Sequence, residues 1–80
     1  MSMTLEDRVL QKIQAELDKR HMSGAELGRR MSVSQATISR RMIGEVSFTL
    51  AELTQVAEIL QVPVDELLGR TDAFWKEETP

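Results

Sequence analysis

The strongest constraint in this sequence is a helix-start signal that recurs three times. Ser23-Gly24-Ala25-Glu26 is a capping box: the serine oxygen accepts an amide hydrogen bond and Glu26 reaches back to the cap's own amide. Met22 before it and Leu27 after it stand at the positions of a hydrophobic staple. Thr49-Leu50-Ala51-Glu52 repeats the box, with Phe48 and Leu53 as its staple. Ser34 caps a third segment, where Val33 and Ile38 form the staple pair and Thr37 replaces the acid. No stretch alternates apolar and polar residues for long enough to make a strand. The expectation is an all-α chain.

Periodicity and stop signals divide it into five helices. The first starts near Thr4, carries Leu5, Val9, Ile13 and Leu17 on one stripe with Leu10 beside it, and ends around Arg20-His21. The second runs from Gly24 to about Met31 and buries Leu27 and Met31. The third runs from Gln35 to Ile43 and stops at Gly44, which suits a left-handed position after a helix. Helix four follows Thr49, with Leu50, Leu53, Val56, Ala57 and Leu60 as its buried stripe. Pro63 opens a short fifth helix through Leu68, closed by Gly69. Residues 1–69 thus form one domain. Residues 70–80 read as a tail, partly ordered or a dimerisation element through Phe74-Trp75.

Composition removes several function classes. With 80 residues, 41% of them hydrophobic, the chain supports one small core and folds rather than staying disordered. It has no Cys, so disulfides and thiolate metal sites are excluded. The single His, His21, reads as a helix C-terminal cation rather than a ligand or catalyst. No apolar run exceeds three residues, so no membrane span or signal peptide is expected, and a cytoplasmic setting is the default. No nucleophile and base share a motif and no glycine-rich phosphate loop exists. The expectation is no enzyme, no cofactor and no metal.

Charge becomes informative when it is divided. The net charge is −3. Residues 1–19 carry −1, with Arg8, Lys12 and Lys19 against Glu6, Asp7, Glu16 and Asp18. Residues 20–45 carry +3, with Arg20, Arg29, Arg30, Arg40 and Arg41 against Glu26 and Glu45. Residues 46–80 carry −5, Arg70 and Lys76 standing against seven acids. A basic island with an acidic back suits a polyanion-binding face, and a merely solvated surface would look similar.

The second and third helices are the informative pair. Their link, Ser32-Val33, is so short that they must cross steeply. The string AELGRRMSVSQATISRR, residues 25–41, resembles the helix-turn-helix of the XRE family, the lambda-repressor and Cro-like domains, which typically read AELARRLGVSQATISR. The resemblance extends through FTLAELTQVAEILQV and VDELL and spans roughly residues 5–69, in the family's five-helix order. It implies an all-α, five-helix lambda-repressor-like domain that docks its third helix in the DNA major groove, usually as a dimer.

Val33, Ile38 and Met42 should face inward, leaving Gln35, Ala36, Thr37, Ser39, Arg40 and Arg41 outside. By the family's pattern Gln35, Ala36, Thr37 and Arg40 lie at base-reading positions, and their chemistry fits: Gln for adenine, a methyl for thymine, Arg for guanine. Gln35 and Thr37 also have a plainer reading as helix-start residues. Phosphate contacts are expected from Ser23 and the amides of Gly24 and Ala25 at the start of helix two. Arg29, Arg30, Ser39, Arg41, Ser47 and Thr49 complete that set. Arg29 and Arg30 could equally be a solvated helix face, and Ser39 could bond helix carbonyls instead.

Three departures from the family pattern stand out. Relatives usually have Gln where Gly24 stands, and lysines where this chain has Glu45-Val46-Ser47. Relatives often pair an Arg late in helix one with a Glu late in helix three; the corresponding positions here are Leu17 and Met42. The resemblance implies double-stranded DNA as partner, with a palindromic operator and a homodimer at least on DNA. Dimer candidates are Val64, Leu67, Leu68, Phe74 and Trp75, although the two aromatics could fold back onto their own helix one or five. The reading is a prokaryotic or phage-type regulator, repressor-like and nucleoid-associated. The alternatives are a protein-interaction module on the same fold, and an N-terminal piece of a longer regulator.

Overall fold

The computed structural model describes residues 4–68, and these are helical and loop segments throughout. Five helices follow one another: α1 (Leu5–Lys19), α2 (Gly24–Met31), α3 (Gln35–Met42), α4 (Leu50–Leu60) and α5 (Val64–Leu68). The first four each start at a Ser or Thr cap in extended conformation. Thr49 and Glu52 form the full reciprocal box on α4. Thr4 and Asp7 form another on α1, where the sequence had suggested only a start. Ser23 accepts the amide of Glu26 at 3.1 Å, but the reciprocal arm expected from Glu26 is not made. The reason is competition, because the Glu26 carboxylate is taken by two guanidinium groups of its own helix.

The helix ends repeat as faithfully as the starts. His21, Ser32, Gly44 and Gln61 all lie in the left-handed region, with φ of 52°, 62°, 83° and 61°. At each, the residue's own amide and the next one turn back into the helix. Met22, Val33, Glu45 and Val62 donate to the carbonyls of Leu17, Gly28, Arg40 and Ala57, the six-to-one bond of a Schellman motif. Met22, Val33 and Val62 then pack against the core. Only Gly44 announced its stop in the sequence; the other three occur at residues that bear a Cβ.

The core gathers one stripe from every helix: Val9, Ile13 and Leu17, then Leu27 and Met31, Ile38, Leu53, Val56, Ala57 and Leu60, and Leu67. Leu50, expected on the buried stripe of α4, is 72% exposed. It occupies the first helical position, ahead of the turn where α4 meets the core. Helix α3 ends one residue before the expected Ile43, and Ile43 itself is 71% exposed. Helix α2 packs most extensively on α3, α4 rests on α2 and α5, and α5 lies on α1.

Two polar fastenings hold the helix ends to other helices. Gln55 of α4 donates to the carbonyl of Met31 at the end of α2, at 3.3 Å. Arg20 donates to the Leu60 carbonyl at the end of α4 and to Glu16 Oε1, both at 2.6 Å, and to the Glu16 carbonyl at 2.8 Å. Glu16 is the one buried charged residue among the described residues. Leu17 is wholly buried and Met42 packs against the core, so neither position offers the family's interhelical ion pair. Glu16-Arg20 is a different pair in a different place, closing the α1–α4 corner. Gly69 and the tail, with Phe74 and Trp75, lie outside the described residues.

Candidate nucleic-acid interface

The steep crossing of α2 and α3 depends on a missing side chain. A Cβ at Gly28 would sit 2.7 Å from Cγ2 and 2.9 Å from Cβ of Ile38. The α2 backbone therefore rests directly on a residue from the middle of α3. Ile38 is 2% exposed and anchors the buried side of that helix. Its other sides are thereby turned outward.

Gln35, Ala36, Ser39 and Arg40 are exposed along α3. Thr37 is half-buried, and its Oγ1 accepts from the Ser34 hydroxyl at 2.9 Å while its amide donates to Ser34. The helix-start reading of Thr37 thus has a physical basis, leaving its own hydroxyl proton and methyl for a partner. Arg40 is exposed and forms no ion pair among the described residues.

A cleft of about 190 Å³ separates α3 from the start of α2. Gly24, Ala25, Gln35 and Ser39 line it, and α1 adds Gln14, a residue that the sequence reading did not single out. Gln14 donates to Asp18 at 3.0 Å and is exposed. Only the three-dimensional packing places it beside α3, so no local signal could have marked it. The cleft combines helix-start amides, two amide side chains and one hydroxyl, a set that matches phosphate oxygens.

The basic island is largely neutralised from within. Arg29 pairs with Glu26, and Arg30 Nε reaches the same carboxylate at 3.0 Å. These two guanidinium groups, Arg30 foremost, hold the Glu26 carboxyl below its ordinary range. Arg41 grips Glu52 with two bonds, at 2.9 and 3.1 Å, and its side chain is only 18% exposed. That contact, helped by the Thr49 amide, holds the Glu52 carboxyl low and pushes the Arg41 guanidinium up. Arg20 belongs to the α1–α4 corner. Four of the five island arginines therefore carry internal partners, which leaves Arg40.

The remaining expected contacts are similarly mixed. Ser23 and Thr49 are exposed caps whose oxygens accept backbone amides. The Ser47 hydroxyl donates to the Glu6 carboxylate, which ties the loop before α4 to α1. Among the dimer candidates, Leu67 is 1% exposed and fills the core, while Val64 and Leu68 are half-buried against it. Little apolar surface of α5 is left for a partner.

No group of three or more His, Asp or Glu side chains fit to hold a metal occurs among the described residues. No helix there is long and apolar enough to cross a membrane. No curated protein and no solved structure matches the chain. A helix-turn-helix family model does, over residues 13–67, which runs from the middle of α1 into α5 and contains the whole α2–α3 pair. The chain belongs to the XRE-type helix-turn-helix family of DNA-binding transcription regulators.

Proposed function

We propose that the protein is a sequence-specific double-stranded DNA binder, a small prokaryotic or phage-type repressor that reads its operator with α3 in the major groove. The observation that carries this reading is the outer face of α3. Gln35, Ala36, Ser39 and Arg40 stand exposed there, while Ile38 fixes the helix from behind. Gln35, Ala36, Thr37 and Arg40 take the base-reading roles. Ser39 and the amides of Gly24 and Ala25 take phosphates across the α2–α3 cleft. Ser23, Ser47 and Thr49 add neutral donors, and Arg29 and Arg30 add charge only where a phosphate displaces Glu26. Two copies occupy a palindromic operator in the cytoplasm, their recognition helices about 34 Å apart along the duplex.

The test is selection of bound sequences from a random duplex library at two salt concentrations, followed by Arg40→Ala on the selected site. The substitution should cost about 1–3 kcal/mol and relax preference at one or two base pairs, with the fold intact. Equal loss on operator and random DNA would leave Arg40 as a phosphate contact. Sedimentation with the palindrome should give two chains per duplex, and a strict one-to-one complex would remove the dimer. One observation favours a second reading, a protein-interaction module on the same fold: four of the five island arginines are already paired. Undetectable binding to any duplex at low salt would select it.

A further inference from the structure

We propose that the aromatic pair Phe74-Trp75 of the C-terminal tail docks on its own chain, in the apolar groove between the start of α1 and the loop that precedes α4. The groove has a volume of about 220 Å³. Its walls are Leu5, Val9 and Leu10 of α1, Phe48 of the loop, Leu53 of α4 and Leu68 of α5. Val9 and Leu53 form a buried floor, whereas Leu5 at its mouth is 58% exposed. The Ser47–Glu6 hydrogen bond borders it. Such a volume is below the roughly 300–1,000 Å³ of a small-molecule pocket, and it suits an aromatic side chain.

The chain itself points to the occupant. Leu68, the last described residue, is one wall of the groove, so the tail departs from its rim. Phe74 and Trp75 are the only residues larger than Thr or a charged side chain in the stretch from 69 to 80. Six residues of chain reach at most about 20 Å, enough to turn back and cover the opening. A tether this short holds its rings at an effective concentration on the order of millimolar, above that of any second copy in dilute solution. Each ring brings about 150–250 Å² of apolar surface to cover. Phe48 leads into α4, so docking braces the connection that leaves α3. The inference concerns the fold's own closure and stands whether or not the chain reads DNA.

The only Trp of the chain makes the test direct. In the 80-residue chain, ring protons of Phe74 or Trp75 should show nuclear Overhauser contacts to the methyls of Leu5, Val9 or Leu10. Trp75 fluorescence should lie to the blue of the urea-unfolded chain and stay there on dilution. Leu5→Asp, which puts a charge at the mouth and suits the first turn of a helix, should return the emission to the red. The double variant Phe74→Ala/Trp75→Ala, which leaves every described residue in place, should shift the groove methyl resonances and lower the urea midpoint. Folded protein with neither ring contact nor methyl shifts overturns the proposal. Protection that fades on dilution overturns it in favour of a second copy's tail, and contacts from Met1 or Met3 to the same methyls overturn it in favour of the N-terminal segment.

Discussion

Ser32 holds φ 62° and ψ 39° in the turn between α2 and α3, a conformation that costs a residue with a Cβ about 1–2 kcal/mol. The family pattern has glycine there. Ser32→Gly should relieve that strain and lose part of the gain to the greater freedom of the unfolded chain, for a net stabilisation of about 0.5–1 kcal/mol. Gln61→Gly, at φ 61° after α4, should behave alike, and the two should add because they lie in separate turns. Urea midpoints of both single variants and the double check this; a destabilised Ser32→Gly would mean the serine side chain contributes more than its backbone strain costs. At Arg41 the question is electrostatic. Glu52→Gln removes the charge that holds this guanidinium while keeping a side chain that can still cap α4. Freed to meet a phosphate, Arg41 should steepen the slope of log K against log salt by about 0.9 per subunit. An unchanged slope would assign Arg41 to packing even when its partner is gone.

Gly28 decides how closely two elements approach. Where the family pattern has alanine, this chain omits the methyl, and α2 lies against Ile38 at distances that a Cβ could not share. Gly28→Ala overpacks the contact at a cost of about 1–3 kcal/mol. The better helix propensity of alanine returns about 1 kcal/mol at most. A net loss of about 1 kcal/mol is expected, together with displaced amide resonances along α3; Ile38→Leu, which lacks the β-branch, should recover part of both. Displacement confined to α2 would show that α3 is not set by this contact. The helix starts were legible in the sequence because caps are local chemistry, a hydroxyl and an amide three residues apart. The ends of α1 and α2 were legible as positions, around Arg20-His21 and Met31, but their geometry was not, because His21, Ser32 and Gln61 stop their helices without glycine, by packing the next apolar residue against the core. Leu50 shows the same limit from the other side, since periodicity marks a stripe but not where along the helix the neighbouring core begins.

Across the whole molecule, the face that α3 presents followed from its pattern, while the charge available on that face did not. Sequence arithmetic counts every arginine of residues 20–45 toward the partner, yet the fold spends four of them on Glu16, Glu26 and Glu52. Those pairings lie 3, 4 or 11 residues apart; the short ones join neighbours on a single helix, and the 11-residue one forms only because the fold brings α3 to the start of α4. They also give the domain an acid limit. The Arg20 hydrogen bond, aided by Lys19 and opposed by burial, holds the Glu16 carboxyl below its ordinary value of 4.5, and Arg41 does the same for Glu52. A carboxyl depressed in the folded state contributes stability that is complete above its unfolded value and lost as pH falls through the folded one. The urea midpoint should therefore hold from neutral pH down to about pH 5 and then drop, with the steepest loss below the ordinary carboxylate range. Glu16→Gln should start lower at pH 7, since it weakens the clamp that joins α1 to the Leu60 carbonyl at the end of α4. Its acid limb should then be shallower than that of the wild type, because one of the titrating groups is gone. Parallel acid limbs in the two proteins would place the acid sensitivity elsewhere than the α1–α4 corner.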